Sequence, residues 1–385
     1  MNDPTMTAAH RLAAVMPRWT AVVPAGEALG LGRRVLLHAG PSFAGPAAAC
    51  PPILNAAAAA LVFEGEAGDF DTALALVHDG AVELRPAQDA GVVTPLASVV
   101  SRSTWLQVVE DAAGDGPLAF APLNEGGGPA LRFGLAGPAV VERLRLLRDT
   151  VGPALAAALT DPVDLLPFAR HGLAHGDDLH GRPHAATARL TADLAPRLPG
   201  AAADFLRTAD QFFLNLWMAA CKRMMLAADG VPGAALVTAA GGNGIDMGIR
   251  LSGTPAGRWF TAPAEAPRGG PDIGPPRPRL PAIGDSAVID AAGFGALAFD
   301  AAPDLRRDLG AEDLGVAAMQ DRLLLVMHPA LGRRVGLDAA AVVRSGLPPP
   351  VCLGALDAAG EAGLVGRGIA RHPLACHAAA VAALG

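Results

Sequence analysis

Tyrosine is absent from the chain, so side-chain proton transfer falls to histidine, carboxylate, lysine, arginine or cysteine. Cysteine is scarce: Cys50, Cys221, Cys352 and Cys376 are scattered with no Cys-x-x-Cys spacing, which excludes a cysteine-only zinc site and fits a reducing compartment. Charge is sparse too, with 17% charged residues and a net charge of -7. That balance gives no general attraction for nucleic acid or an anionic membrane, and no basic run is interleaved with aromatics. The longest apolar run, ILNAAAAALVF, is too short to cross a bilayer, and the opening MNDPTMTAAHRLAAVMPRW lacks the apolar core of a secretion signal. The expectation is a cytoplasmic protein with no nucleic-acid or membrane partner.

What is present is apolar bulk, 51% of 385 residues, enough for two or three cores. RRVLLHAG and AVELRP read as strands flanking two helical patterns, PPILNAAAAALVF and DFDTALALVHDG, an α/β unit. STWLQVVED, GPLAFAPL and ALRFGL are strand-like between glycine-rich turns. From 138 to 229 apolar residues recur at helical spacing, and helices are expected near 138–160, 162–175, 183–197 and 201–229. ALVTAA, IDMGIRLSG and RWFTAP are further strand candidates, RGGPDIGPPRPRLP is a loop, and AEDLGVAAMQDRLLLVM reads as a helix. The fold class is α+β: two mixed α/β lobes, 1–137 and 231–385, with a helical subdomain at 138–230 between them.

HGLAHGDDLHGRPH, residues 171–184, concentrates histidine. His171 and His175 are four apart, as are His180 and His184, the spacing zinc enzymes use on one helical face, with Asp177 or Asp178 as an oxygen ligand. Gly176 and Pro183 argue for a break between two helices, with Pro183 at the first position of the second. A metal-dependent amidohydrolase built on these histidines is therefore one reading, and a polar helix boundary is another. Elsewhere, NEGGGP offers backbone amides in a glycine-rich turn beside Glu125, either an anion-binding nest or an ordinary loop. Asn243 sits in GGNG, the signal for a tight hairpin whose tip can still face a cleft. His38 ends a strand in LLHAGPS, where loops beyond strand ends carry function. Asn215 and Lys222 lie seven apart on one predicted helix, and Asp285 and Ser286 adjoin in IGDSAV, where a capping role is the simpler reading. No GxSxG elbow and no GxGxxG after a strand is present.

LLHAGPS, LVFEG, PLNEGGGPALRFG, GDDLHGRPHAATARL, DQFFLNLWMAACKRMM, VPGAALVTAAGGNGIDMGIRLSG, RWFTAP and IGDSAVIDAAGFGALAF, in that order, resemble the YlbE/AllG family over nearly the whole chain. The family's form of the histidine stretch is close to GDECHNRN, which matches Gly176, Asp177, His180 and Arg182 but not His171, His175 or His184. The resemblance implies a subunit similar to that of an oxamate carbamoyltransferase, which exchanges a carbamoyl group between oxalurate and phosphate in allantoin use. It implies Asp177, His180 and Glu125 as catalytic residues, and the substrate-binding candidates, from the resemblance and from the stretches above together, are His38, Asn124, Gly126, Gly127, Arg182, Asn215, Asn243, Asp285 and Ser286. It implies no metal or other cofactor, a small anionic substrate such as carbamoyl phosphate or oxamate, partner subunits and a homo-oligomer. Carboxylate, imidazole and guanidinium within six residues orient a substrate, move a proton and hold a negative oxygen. The chain departs from the family where it reads RPAQDAG in place of a histidine-containing stretch, and at Leu179, Gly181 and Pro183, so a non-catalytic scaffold paralogue is a third reading. Asp177, His180 and Arg182 are expected to meet Asn124, Glu125 and Asn243 in one cleft.

Overall fold

Val35–His38 pairs in parallel with Glu83–Pro86, and the helices Pro51–Phe63 and Phe70–His78 make the crossover that parallel strands require. The computed structural model in which this unit sits describes residues 3–385 and is a mixed α+β protein with several small sheets. Pro51 and Pro52 open the first helix, where no helical amide bond is lost, and Asp69 caps the second through the amide of Thr72 at 2.7 Å. The apolar faces of the two helices form a core of their own around Ile53, Ala56, Ala60 and Leu61.

The two four-stranded sheets are antiparallel. One orders Ala119–Pro122, Trp105–Asp111, Pro17–Pro24 and Val163–Asp164; the other orders Ile283–Gly284, Val237–Asn243, Asp246–Leu251 and Phe260–Pro263. Helix Phe212–Ala227 packs against both sheets and against helix Ala287–Ala292. Its sequence, FFLNLWMAACKRMMLA, is apolar around most of its circumference, which fits a helix buried on all sides. Asn215, Lys222 and Arg223 are carried into the interior with it. The main apolar core draws residues from Ala8 through Ala380. Among the described residues no helix is long and apolar enough to cross a membrane.

Several sequence expectations need correction. ALRFGL does not form a strand; Leu131–Phe133 is a 3-10 turn, because the Glu125 carboxylate accepts the amides of Leu131 and Arg132 and curls the backbone. The single helix expected over 201–229 is two, Gly200–Thr208 and Phe212–Ala227. The Thr208 hydroxyl donates back to the Phe205 carbonyl, and Thr187 of a neighbouring helix accepts the amide of Phe213, so a tertiary contact caps the second helix. AEDLGVAAMQDRLLLVM is half helix, Val316–Leu323, and half strand, since Leu324–His328 pairs with Arg333–Leu337. Pro183 precedes the helix His184–Leu194 by one residue and does not open it. Helix Pro4–Ala14 and strand Pro17–Pro24 carry no sequence expectation; the strand's alternation is blurred because side chains on both of its faces are partly covered.

Candidate functional site

Chain breaks, turns and helix starts bring polar residues together in two places. The first is a cavity of about 60 Å³ walled by Arg132, His180, Gln211, Ser286, Cys352 and Arg367, with Leu96 and Phe133 among its apolar lining. A cavity needs roughly 10–15 Å³ of such space to hold a single water, so this one has room for a small group and not for a large substrate. His180 reaches it from the turn that follows helix Leu166–Ala174. The Asp178 carboxylate accepts the amides of His180, Gly181 and Arg182 at 3.1, 3.1 and 2.8 Å and so shapes that turn. Leu179 sits at a φ of 67° and Leu96 at 47°, a conformation that costs a branched side chain on the order of 1–3 kcal/mol. Leu96 lines this cavity, and Leu179 immediately precedes His180, which also lines it. Gly181 has no side chain where one would strike Cys352, whose sulfur lies 2.5 Å from the place of a Cβ.

His180 Nδ1 is 2.6 Å from Asp290 Oδ2, and both residues are buried. The other Asp290 oxygen accepts the amides of Ala296 and Cys352 at 2.8 and 3.2 Å, so the carboxylate is fixed. Arg132 donates one Nη to the Gly126 carbonyl at 2.6 Å, while its other Nη is buried without a partner among the described residues. Burial lowers the Arg132 pKa, and the charge of nearby Glu125 opposes that shift. Burial likewise raises Glu125, with Arg132 opposing. Arg367 donates to the Gly181 carbonyl at 3.2 Å. Burial raises the Cys352 thiol well above its ordinary value, and Asp178 and Asp290 add to the effect.

The second place is a buried relay. The Asp285 carboxylate accepts four hydrogen bonds, from the amides of Gly40 and Thr94, the Thr94 hydroxyl and Gln88 Nε2, at 2.7 to 3.1 Å. Burial still pushes its pKa up to about 6. Gln88 Oε1 accepts from Lys222 Nζ at 3.2 Å, and Lys222 also donates to the Thr238 carbonyl at 3.1 Å. Lys222 is the only lysine in the chain, is fully buried, and is pushed down to about 7 by that burial. Gly40, at a φ of 72°, touches Gly242, whose carbonyl carbon would lie 2.4 Å from a Cβ there. Only glycine allows the loop after His38 to lie against the hairpin strand and reach Asp285.

The candidate residues fall around these two places. His180 and Ser286 share the cavity. Asn124 and Glu125 stand behind its wall: Asn124 donates to the Gln211 carbonyl and to Asn215 Oδ1, at 3.1 and 3.2 Å, and Asn215 donates to the Pro122 carbonyl. The Gly126 amide is taken by Asn124 Oδ1, and the carbonyls of Gly126 and Gly127 accept from Arg132 and Arg143, so this loop turns carbonyls toward guanidinium groups. Asp285 lies in the relay with Gly40, and Asn243 beside it donates to the Pro41 carbonyl while accepting the amides of Ile245 and Asp246. His38 is buried, its ring tilted against that of Phe43, and is pushed down to about 4 by burial. Asp177 accepts the amides of Ala185 and Ala186 at 3.1 and 2.8 Å and thus caps helix His184–Leu194. Arg182 is half-buried and does not wall the cavity. The cleft expected to unite Asp177, Arg182 and Asn243 with His180 is therefore not the one observed.

His171 and His175 stack on each other near the surface, His180 turns inward to Asp290 and His184 faces Asp210. Among the described residues no three His, Cys, Asp or Glu side chains are grouped to hold a metal ion. Arg132, Arg367, Asp290 and Gln88 were not singled out from sequence. Asp290 stands four residues after Ser286, the spacing of neighbours on one helical face, and Gln88 stands in the divergent RPAQDAG stretch.

The family model described as oxamate carbamoyltransferase subunit AllG matches residues 82–286, a span that includes Gln88, Arg132, His180, Lys222, Asp285 and Ser286. The oxamate carbamoyltransferase subunit AllG of Escherichia coli K12 is 35% identical over 96% of this chain and 94% of its own length. The uncharacterized protein YahG of the same organism is 30% identical over 91% of this chain and 79% of its own. A crystal structure of a conserved protein of unknown function from Enterococcus faecalis V583 matches with a TM-score of 0.94 at 28% identity, over 99% of this chain and 96% of that one. With a family model spanning more than half of its residues and a relative aligned along nearly its full length, the chain belongs to the AllG family.

Proposed function

We propose that this chain is a carbamoyltransferase-type subunit that holds a small anionic substrate in the cavity between Arg132, Arg367, His180 and Ser286, alongside partner subunits. The observation that carries the reading is the buried Arg132 guanidinium at the cavity wall, whose second Nη has no partner among the described residues. A buried donor left unpaired costs on the order of 1–3 kcal/mol or more, so an oxygen anion is the complement the site lacks. Arg367 supplies a second positive charge at the same wall, and guanidinium groups suit the planar oxygens of carboxylate or phosphate. The size of the cavity fits a ligand of few atoms, in keeping with oxamate or the carbamoyl end of carbamoyl phosphate.

In this reading His180 moves the proton. With its Nδ1 proton donated to Asp290, Nε2 keeps a lone pair at the cavity. Glu125 and Asn124 act through others: Glu125 keeps Arg132 charged and shapes its turn, and Asn124 ties that loop to the helix carrying Asn215. The experiment is thermal unfolding with carbamoyl phosphate, oxamate or phosphate. A ligand at a hundredfold excess over its Kd stabilises the fold by roughly 2.7 kcal/mol, and Arg132→Gln is expected to remove that gain. No shift with any of the three ligands refutes the reading.

A further inference from the structure

We propose that Ser286 is a nucleophile that carries the transferred group on its hydroxyl, with His180 as its base and Asp290 as the positioning residue for His180; the proposal rests on the reading of the cavity given above. Ser286 and Asp290 are four residues apart across the start of helix Ala287–Ala292, which places them on one face. Asp290 holds His180 Nδ1 at 2.6 Å, so the imidazole is drawn to the face that carries Ser286. His180 and Ser286 wall the same small cavity. The Ser286 hydroxyl makes no capping hydrogen bond to its helix, although it occupies the N-cap position. It is therefore free to donate elsewhere, and the ring nitrogen that Asp290 leaves open is an acceptor in the same space.

The surroundings argue for the hydroxyl and against the thiol. Cys352 also walls the cavity, but burial and the carboxylates of Asp178 and Asp290 keep it protonated. A serine needs only an adjacent base, which a carboxylate-oriented histidine provides. Asp290 is clamped by the amides of Ala296 and Cys352, and His180 by the Asp178 turn, so acid and base are held on rigid supports.

The step balances as follows. Ser286 Oγ attacks the carbonyl carbon of a carbamoyl phosphate-type donor, and its proton passes to His180 Nε2. The bond from that carbon to the phosphate oxygen breaks, and phosphate leaves with the electron pair, beside Arg132 and Arg367. His180 passes the serine proton to the departing phosphate and so is neutral again, and the nitrogen of an amine or amide acceptor then attacks the seryl carbamate and gives up its proton to His180 Nε2. The carbamate C–O bond breaks, and Ser286 Oγ regains the proton held by His180.

The test is covalent labelling of the purified full-length chain with a fluorophosphonate, a serine-directed reagent that needs no carbamoyl donor. The expected result is an adduct mapped to Ser286, absent in Ser286→Ala and slowed about a hundredfold in His180→Gln and Asp290→Asn. The last two variants keep the roles of His180 and Asp290 testable if Ser286→Ala fails to fold. Incubation with carbamoyl phosphate followed by acid quench is expected to leave one carbamoyl group on the same peptide. A wild-type chain that takes no label, or takes it elsewhere, overturns the nucleophile. If phosphate or oxamate still raises the unfolding temperature of that chain, the anion-binding reading survives without it. Labelling of Ser286 that is unchanged in His180→Gln and Asp290→Asn overturns the roles given to those two residues.

Discussion

Replacing Lys222 by methionine tests whether the buried relay titrates as its surroundings dictate. The ammonium is displaced from an ordinary value of 10.5 to about 7 by burial, with Arg250 adding to the shift and Asp229, Asp285 and Asp89 opposing it. As pH falls from about 10.5 to about 7, the unfolded chain binds a proton that the folded chain refuses. Folding stability then declines by about 1.4 kcal/mol per pH unit, on the order of 4–5 kcal/mol across the window. Methionine binds no proton, so the variant lacks this decline. The substitution also strips Gln88 Oε1 and the Thr238 carbonyl of their shared donor, at about 1–3 kcal/mol each, and that cost holds at every pH in the window. Asp285 is pushed up only to about 6 and stays ionised throughout, and groups common to both chains cancel. Urea denaturation near pH 10 is therefore expected to show the variant less stable by about 2–6 kcal/mol. Near pH 7 the gap is expected to close or invert. An equal difference at both pH values refutes the argument, because it would mean that Lys222 titrates as an ordinary amine.

Gly181→Ala is expected to destabilise the chain by about 1–3 kcal/mol and to weaken ligand stabilisation, because its Cβ falls on Cys352 and Leu305. Combining it with Cys352→Ala should recover part of the loss, and strict additivity in urea denaturation would count against the contact. Asp177→Ala removes a helix cap and is expected to cost about 0.5–2 kcal/mol while leaving ligand stabilisation intact. Full stability with lost ligand response would instead return Asp177 to the site.

Local pattern made much of the architecture legible. The strands around Leu36 and Leu84, their two crossover helices and the strand of Val237–Asn243 follow from period, proline and glycine, which act within a few residues. Gly176, at a φ of 91°, separates the helix that ends near His175 from the one that starts at His184, and this kept the four histidines from being one helical face. Where the reading failed, a distant partner decided. Thr187 caps a helix twenty-six residues away, Glu125 bends ALRFGL into a turn, and Leu324–His328 becomes a strand because Arg333–Leu337 lies beside it.

The same division holds for the site. Sequence by itself marked the short polar interruptions of an apolar chain, among them the stretches that hold Glu125, His180, Asp285 and Ser286, and the fold buries all four, where an unpaired polar group costs free energy. Only the tertiary structure decided what each of them faces. Asp290 and not Asp177 meets His180, Arg132 and Arg367 and not Arg182 wall the cavity, and Lys222 reaches Asp285 through Gln88. Hydrogen bonds and charge pairs act over a few ångströms of space, and the packing of a buried helix against two sheets, not spacing along the chain, sets which groups come within that reach.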